Sequence, residues 1–190
     1  MDEDTKTLIL NVGLDLFSRK GFESVGVQEI VDAAGVTKPT LYYHFKSKQG
    51  LLETIVAERG VELLAITRKN AEYRCNLVEN LTALFKETLN FARKETRFYR
   101  LARTLFSSAT ETTEFIVGKP LRKELVAVLQ ALFRNAASDH GNMKGREYVY
   151  AETFLGLIET WAILSINGEI SMGDSMQARI IHNFMHGIFS

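Results

Sequence analysis

A chain of 190 residues with 46% hydrophobic and 24% charged side chains lies in the globular range, which sets aside the disordered and fibrous classes. Its 23 basic and 23 acidic residues cancel, so no whole-molecule field draws it to nucleic acid or to an anionic membrane, and any polyanion binding has to come from local clustering. The single cysteine, Cys75, excludes an internal disulfide framework and any CxxC redox or zinc module, and it suits a reducing compartment.

The N-terminus, Met1-Asp2-Glu3-Asp4, is acidic where a secretory signal would be basic. No apolar run approaches the roughly 20 residues that span a bilayer, so a soluble cytoplasmic protein without a membrane partner is expected. Only Pro39 and Pro120 interrupt the chain, alternating β-branched patterns are missing, and apolar residues recur at i, i+3, i+4 nearly throughout. The fold class is therefore all-α.

The first predicted helix carries Leu8, Ile9, Val12, Leu16 and Phe17 and stops at Gly21 after Arg19-Lys20. A short second helix covers about Val27 to Ala34 and ends at Gly35. Thr37 is a good N-cap for a third, from Lys38 to about Phe45, with Pro39 in the first turn, where a missing N–H does no harm. Ser47 caps a long fourth helix whose stripe runs from Leu51 to Ile66.

Asn76-x-x-Glu79 resembles a capping box and opens a helix bearing Leu81, Leu84, Phe85 and Leu89. Another helix is expected from Phe98 to Ser107. Pro120 is read as the start of a longer one carrying Leu121, Leu125, Leu129 and Phe133, and Glu111 to Lys119 stays unassigned. Two helices close the chain, Glu147 to Asn167 and Ser175 to Phe189, the latter behind an Asp174-x-x-Gln177 capping pattern. Between Thr153 and Gly168 the only charge is Glu159. A helix so apolar on nearly every side needs partners on more than one side, which points to a second subunit.

The informative stretch is residues 27–48, two short helices around a tight glycine turn. Ile30, Val31, Ala34, Val36 and Leu41 pack the pair, while Lys38, Thr40, Tyr42, Tyr43 and His44 are left to the outward face. Between Asp32 and Glu53 there is no acidic residue, and Lys38, Lys46, Lys48 and His44 gather there, so the basic patch missing from the whole chain exists locally. Lys38 suits guanine O6 or N7, Pro39 and the Thr40 methyl suit thymine methyls, and Gln28 suits adenine. Tyr42, Tyr43, His44, Lys46 and Lys48 suit phosphate oxygens, and Thr37, at the start of the third helix, joins the candidate DNA contacts. Double-stranded DNA is the expected partner.

Here the chain resembles the tetracycline-repressor (TetR) family of bacterial regulators. The resemblance rests on Leu16-Phe17-x3-Gly21-Phe22, on Ile30-x3-Ala34-Gly35-Val36, and on Leu41-Tyr42-Tyr43-His44-Phe45-Lys46-Ser47-Lys48 followed by Leu51-Leu52. It implies a helix-turn-helix DNA-binding domain over residues 1–46 and a helical effector-binding and dimerisation domain over 47–190. It also implies Lys38 to His44 as recognition helix, Lys48 pinning a phosphate, and a homodimer through about 147–167 and 175–189. Gly26 stands where the family has a Ser or Thr cap, and Gly13 where it has alanine. A repressor released from a near-palindromic operator by a small-molecule effector is the expected function.

Phe85, Leu89, Phe106, Phe133 and Phe154, with Glu159 and Trp161, are the candidate lining of an effector pocket, although aromatic residues at helical spacing also serve as plain core. Their character points to an apolar or aromatic ligand. His182 and His186 sit i, i+4, but no Cys or Glu completes a ligand set, so no metal and no cofactor are expected. No HExxH, GxSxG or phosphate loop occurs, so the chain is not read as an enzyme. The alternative reading is an all-α ligand-binding protein or enzyme whose N-terminal motif is only structural; architectural DNA binding without an effector is a third.

Overall fold

The computed structural model describes residues 2–187, and among them it is all-α with one short 3-10 turn and no strand. The helices are α1 (Asp2–Lys20), α2 (Val27–Ala34), α3 (Lys38–Phe45), α4 (Lys48–Asn70), α5 (Leu77–Lys94), α6 (Thr96–Ser107), α7 (Thr113–Ala136), α8 (Glu147–Ile166) and α9 (Asp174–His186). They form two compact units. One holds the chain up to Val61 together with Arg97–Leu121, and the other holds Glu62–Thr96 and the chain from Arg122 onward.

In the first unit α1 packs on α2 and α3. Ile9, Leu14 and Phe17 of α1 meet a core that also holds Ile30 and Val31 of α2 and Leu41 and Phe45 of α3, all of them buried. Each such side chain stabilises the unit by about 1.5–3 kcal/mol relative to an exposed one. Gly13 belongs to a close approach: a Cβ there would lie 2.7 Å from Leu51 Cδ2. The helix penalty of glycine, about 0.5–1 kcal/mol, is thus set against the packing of a fully buried leucine. Gly35 at φ 64° turns the chain between α2 and α3, and the Val36 N–H donates back to Val31 O at 3.0 Å. Only a residue without a Cβ takes that backbone freely.

The same unit corrects the reading of Pro120. Helix α7 begins at Thr113, so Pro120 lies inside it rather than at its start. Thr112 is the true cap: its Oγ1 accepts the Phe115 N–H at 3.2 Å. Gly118, one turn later, rides against α6, where a Cβ would come within 2.6 Å of Leu105 Cβ. An interior proline removes one backbone bond, but burial of Val117 and Leu121 on either side of it holds the helix together.

In the second unit α5 packs against α8 and α9. Its core takes Leu81, Phe85 and Leu89 from α5, Phe133 from α7, Phe154 and Ile158 from α8, and Ile180 and Ile181 from α9. The Asn76 cap is formed, its Oδ1 accepting Glu79 N–H at 3.2 Å. The cap expected at Asp174 is not. Asp174 is the first helical residue, and buried Gln177 instead donates Nε2–H to Met172 O at 3.2 Å. The last helix runs to His186, and its expected end at Phe189 lies outside the described residues. Helix α8 also corrects the count of apolar runs, because its 20 residues meet the length and composition of a membrane span. One face of it, with Ala151, Phe154, Leu155, Ile158 and Ala162, is buried core.

Candidate nucleic-acid interface

Helix α3 begins where Thr37 Oγ1 accepts the Thr40 N–H at 3.4 Å and lies 2.9 Å from Thr40 Oγ1. Leu41 and Phe45 point inward and fix which side of α3 faces out. On that outer side Lys38 and Pro39 are exposed, Thr40 is half-buried, and Tyr42 and Tyr43 are 43% and 67% exposed. Large phenol rings left in water on a short helix are uncommon in a stable core packing, and they suit a surface that meets a partner. Among the described residues neither Lys38 nor Lys46 pairs with a carboxylate; Lys46 Nζ reaches only Tyr43 O, at 3.3 Å.

Two side chains are placed otherwise than the sequence suggests. The His44 side chain is only 7% exposed, with Nε2 3.4 Å from Asp2 Oδ1 and the ring edge-on to Tyr43. The reason is its spacing, since it follows Leu41 by three residues and shares the inward side. Lys48 also turns inward. Its Nζ donates to Phe22 O at 2.9 Å and to Val25 O at 3.1 Å, and it lies 4.1 Å from the centre of the Phe22 ring. Gln28 is exposed on α2, its amide held to Asp32 Oδ1 at 2.7 Å.

The frame beneath this face is braced by charge. Lys20 at the end of α1 reaches Glu29 of α2 at 2.5 Å, and Asp15 takes Arg19 at 3.1 Å and Arg97 of α6 at 3.8 Å. Helix α2 starts at Gly26 with no side-chain cap, so the hydroxyl common in related motifs is absent there. The turn from α3 to α4 depends on a residue that sequence reasoning passed over. A Cβ on Gly50 would lie 2.0 Å from Phe45 O, while Ser47 Oγ accepts the Gly50 N–H at 2.9 Å. The Ser47-x-x-Gly50 spacing was the available signal.

The candidate pocket residues divide between the units. Phe85, Leu89, Phe133, Phe154, Glu159 and Trp161 belong to the second unit, and Phe106, half-buried, belongs to the first. Phe133 and Phe154 are T-shaped at 6.3 Å, and both contact Phe184, which the sequence reading left out. Glu159 is buried and Trp161 half-buried on α8. A separate polar hollow of about 220 Å³ lies between the end of α4 and the start of α5, beside Lys69, Asn70, Arg74 and Asn80. Outward from the α8 core face, Leu157, Trp161 and Leu164 are left only half-buried, and Val149 is 62% exposed. The His182 and His186 rings lie 4.4 Å apart, tilted by 40°, on the exposed side of α9.

Comparison with known proteins bears on this arrangement. Residues 9–55 match the model of the bacterial regulatory proteins, tetR family. The chain is 32% identical over 88 residues to the HTH-type transcriptional regulator UidR of Escherichia coli strain K12, covering 45% of each chain. It is 31% identical over 135 residues to the HTH-type transcriptional regulator AcrR of Shigella flexneri, covering 70% of this chain and 57% of that one. The matches thus span about half the length of these relatives. The crystal structure of the transcriptional regulator FadR from Bacillus subtilis superposes with a TM-score of 0.78 at 14% identity, over 96% of this chain and 98% of that one. Two short helices around Gly35, an outward face of lysine and tyrosine, and a helical body of the same fold go together in one ordered chain, which belongs to the tetR family of bacterial regulatory proteins.

Proposed function

We propose that the protein is a sequence-specific, DNA-binding transcriptional regulator of the cytoplasm, a repressor that leaves a near-palindromic operator when its helical body takes up a small apolar or aromatic ligand. The observation that carries this reading is the outer side of α3, where Lys38, Pro39, Tyr42 and Tyr43 stand exposed on a helix fixed from behind by Leu41 and Phe45. A major groove admits such a helix, Lys38 can donate to guanine, and Tyr43 and Lys46 suit phosphates. Residues 1–46 form the reading head in this proposal, and 47–190 the effector-binding and dimerising part.

Two copies joined through α8 and α9 would place two α3 helices on half-sites about one helical turn, roughly 34–36 Å, apart. The uncovered Leu157, Trp161 and Leu164 of α8 support that pairing, since apolar area left in water favours association. For the effector, the aromatic cluster of Phe85, Phe133 and Phe154 with Glu159 and Trp161 supports an apolar ligand. The FadR structure, described as a complex with stearoyl-CoA, makes an acyl chain the first compound to try. A ligand shifts DNA binding only by its differential affinity for the two protein states.

The test is fluorescence anisotropy on labelled duplex from the region upstream of the protein's own gene, against a scrambled duplex, at two salt concentrations. Tight, salt-sensitive binding to the first alone is the expected result. Equal binding to both would replace this reading with an architectural one, and no binding to either would end it.

A further inference from the structure

Lys48 is the first residue of α4, where the positive end of the helix dipole disfavours a cation. An ammonium group in that place needs acceptors, and its acceptors here are internal. Two of its three N–H bonds go to Phe22 O and Val25 O, at 2.9 and 3.1 Å, and the face of the Phe22 ring stands 4.1 Å away. The side chain is half-buried, and both residues it grips are buried. Those two carbonyls belong to the turn between α1 and α2, which closes with the Val25 N–H donating to Phe22 O at 3.3 Å. One residue later comes Gly26, the bare cap of α2, which has no side chain to set the direction in which the helix starts.

We propose that Lys48 is a positioning residue for DNA binding, not a phosphate contact: it ties the start of α4 to the 22–25 turn and thereby sets where α2 begins. This inference rests on the DNA-binding reading above and deepens it. The missing cap at Gly26 is what gives Lys48 this task. A side-chain cap would fix the first turn of α2 locally, and without one the approach of the chain is held from α4, 23 residues on from Val25. Displacing the 22–25 turn moves the exposed Gln28 end of α2, and with it the register of the whole motif on the duplex. Lys46 offers a contrast on the same surface, because it is exposed and, among the described residues, its ammonium group meets only the Tyr43 carbonyl, at 3.3 Å.

The two roles differ in what salt does. A lysine that neutralises a phosphate releases counterion, so its removal makes the slope of log K against log salt shallower by about 0.9. A positioning lysine contributes no such release. The experiment compares wild type, Lys48→Met, Lys48→Gln and Lys46→Met by anisotropy from low to moderate salt at 20 °C, with thermal melts of each. For Lys48→Met the expected result is a loss of affinity of about tenfold, because the loosened turn has to be re-ordered on binding at a cost of roughly the worth of one hydrogen bond to a charged group. The salt slope is expected to stay unchanged and the Tm to fall by about 2–4 °C. Lys48→Gln, which keeps one donor arm, is expected to fall between this variant and wild type, and it serves if Lys48→Met does not fold. Lys46→Met is expected to flatten the slope.

A slope shallower by about 0.9 for Lys48→Met with an unchanged Tm would overturn the proposal in favour of a phosphate contact. Unchanged affinity with a lowered Tm would overturn it in favour of a role in stability alone. If the wild type itself fails to bind, the DNA reading falls. Amide exchange at Phe22 to Gln28, faster in Lys48→Met than in wild type, then still reports whether the tie to the turn exists.

Discussion

The residue on which the motif's geometry depends most sharply is Gly50. Its hydrogen points at Phe45 O, and a methyl group there would sit 2.0 Å from that oxygen, with backbone on both sides of the clash. No rotamer relieves it, so the α3–α4 turn itself would have to open. Gly50→Ala is therefore expected to destabilise the fold by about 3 kcal/mol, the upper end for an overpacked site, and to lower Tm in a calorimetric or CD melt. A Tm equal to wild type would mean that the turn relaxes freely. Lys38 tests the opposite property, chemistry without structural duty. It is exposed and has no carboxylate partner among the described residues, so Lys38→Ala should leave the melt alone. In binding, it should relax preference at one base pair by about 1–3 kcal/mol, read by competition with single-base operator variants. A uniform loss across all variants would reassign it to the phosphate backbone.

At the scale of elements, α7 and α8 are joined by one ion pair worth isolating. Arg122 meets Glu152 with both arms, Nη2 to Oε2 at 2.5 Å and Nη1 to Oε1 at 3.1 Å, and neither side chain is more than about a third exposed. The guanidinium holds the Glu152 carboxyl below its usual range, against the opposing effect of burial, with Tyr148 helping. A depressed carboxyl pKa contributes stability that is fully present above the unfolded value, near 4.5, and is lost as pH falls through the folded one. Glu152→Gln should thus be less stable than wild type at pH 6 by on the order of 1 kcal/mol, after allowance for solvent screening, and the gap should close below pH 4.5. Urea melts at the two pH values check it, and a gap independent of pH would mean that packing, not charge, is lost. The helices themselves were largely legible. Caps such as Thr37 and Asn76 and stops such as Gly21 and Gly35 act within one turn of chain, and such local chemistry reads directly from sequence. What sequence could not show depends on contacts far along the chain. Pro120 reads as a helix start until Gly118 is seen against Leu105, and Lys48 reads as an outward lysine until the carbonyls of Phe22 and Val25 are found at its tip. The inward turn of His44 was within reach, by counting from Leu41.

For the whole molecule, the decisive quantity is how many reading heads act together. A single α3 helix reads only a few base pairs, and a second head on a linked copy converts its own binding into an intramolecular event worth about 10²–10⁴ in affinity. The proposed link is the outward stripe of α8. Thr153, Leu157, Thr160 and Leu164 recur at helical spacing away from the buried Ala151, Ile158 and Ala162, with Trp161 at the edge of the stripe next to buried Phe154, and none of these five stripe residues is buried in the single chain. The sequence already carried half of this argument, in the lone charge of Glu159 between residues 153 and 168. The structure adds that Glu159 lies on the buried side, so the outward stripe carries no charge at all. Leu164→Glu places a carboxylate on that stripe without entering the core, where it would have to be desolvated in a dimer and would stay hydrated in a monomer. The variant should keep its helical CD spectrum and its Tm in dilute solution should stay that of a folded chain. It should run as a monomer in size exclusion with light scattering, and lose about 100-fold in affinity for the full operator while a single half-site binds as before. If the variant stays dimeric with unchanged operator affinity, the copies are joined elsewhere than along α8.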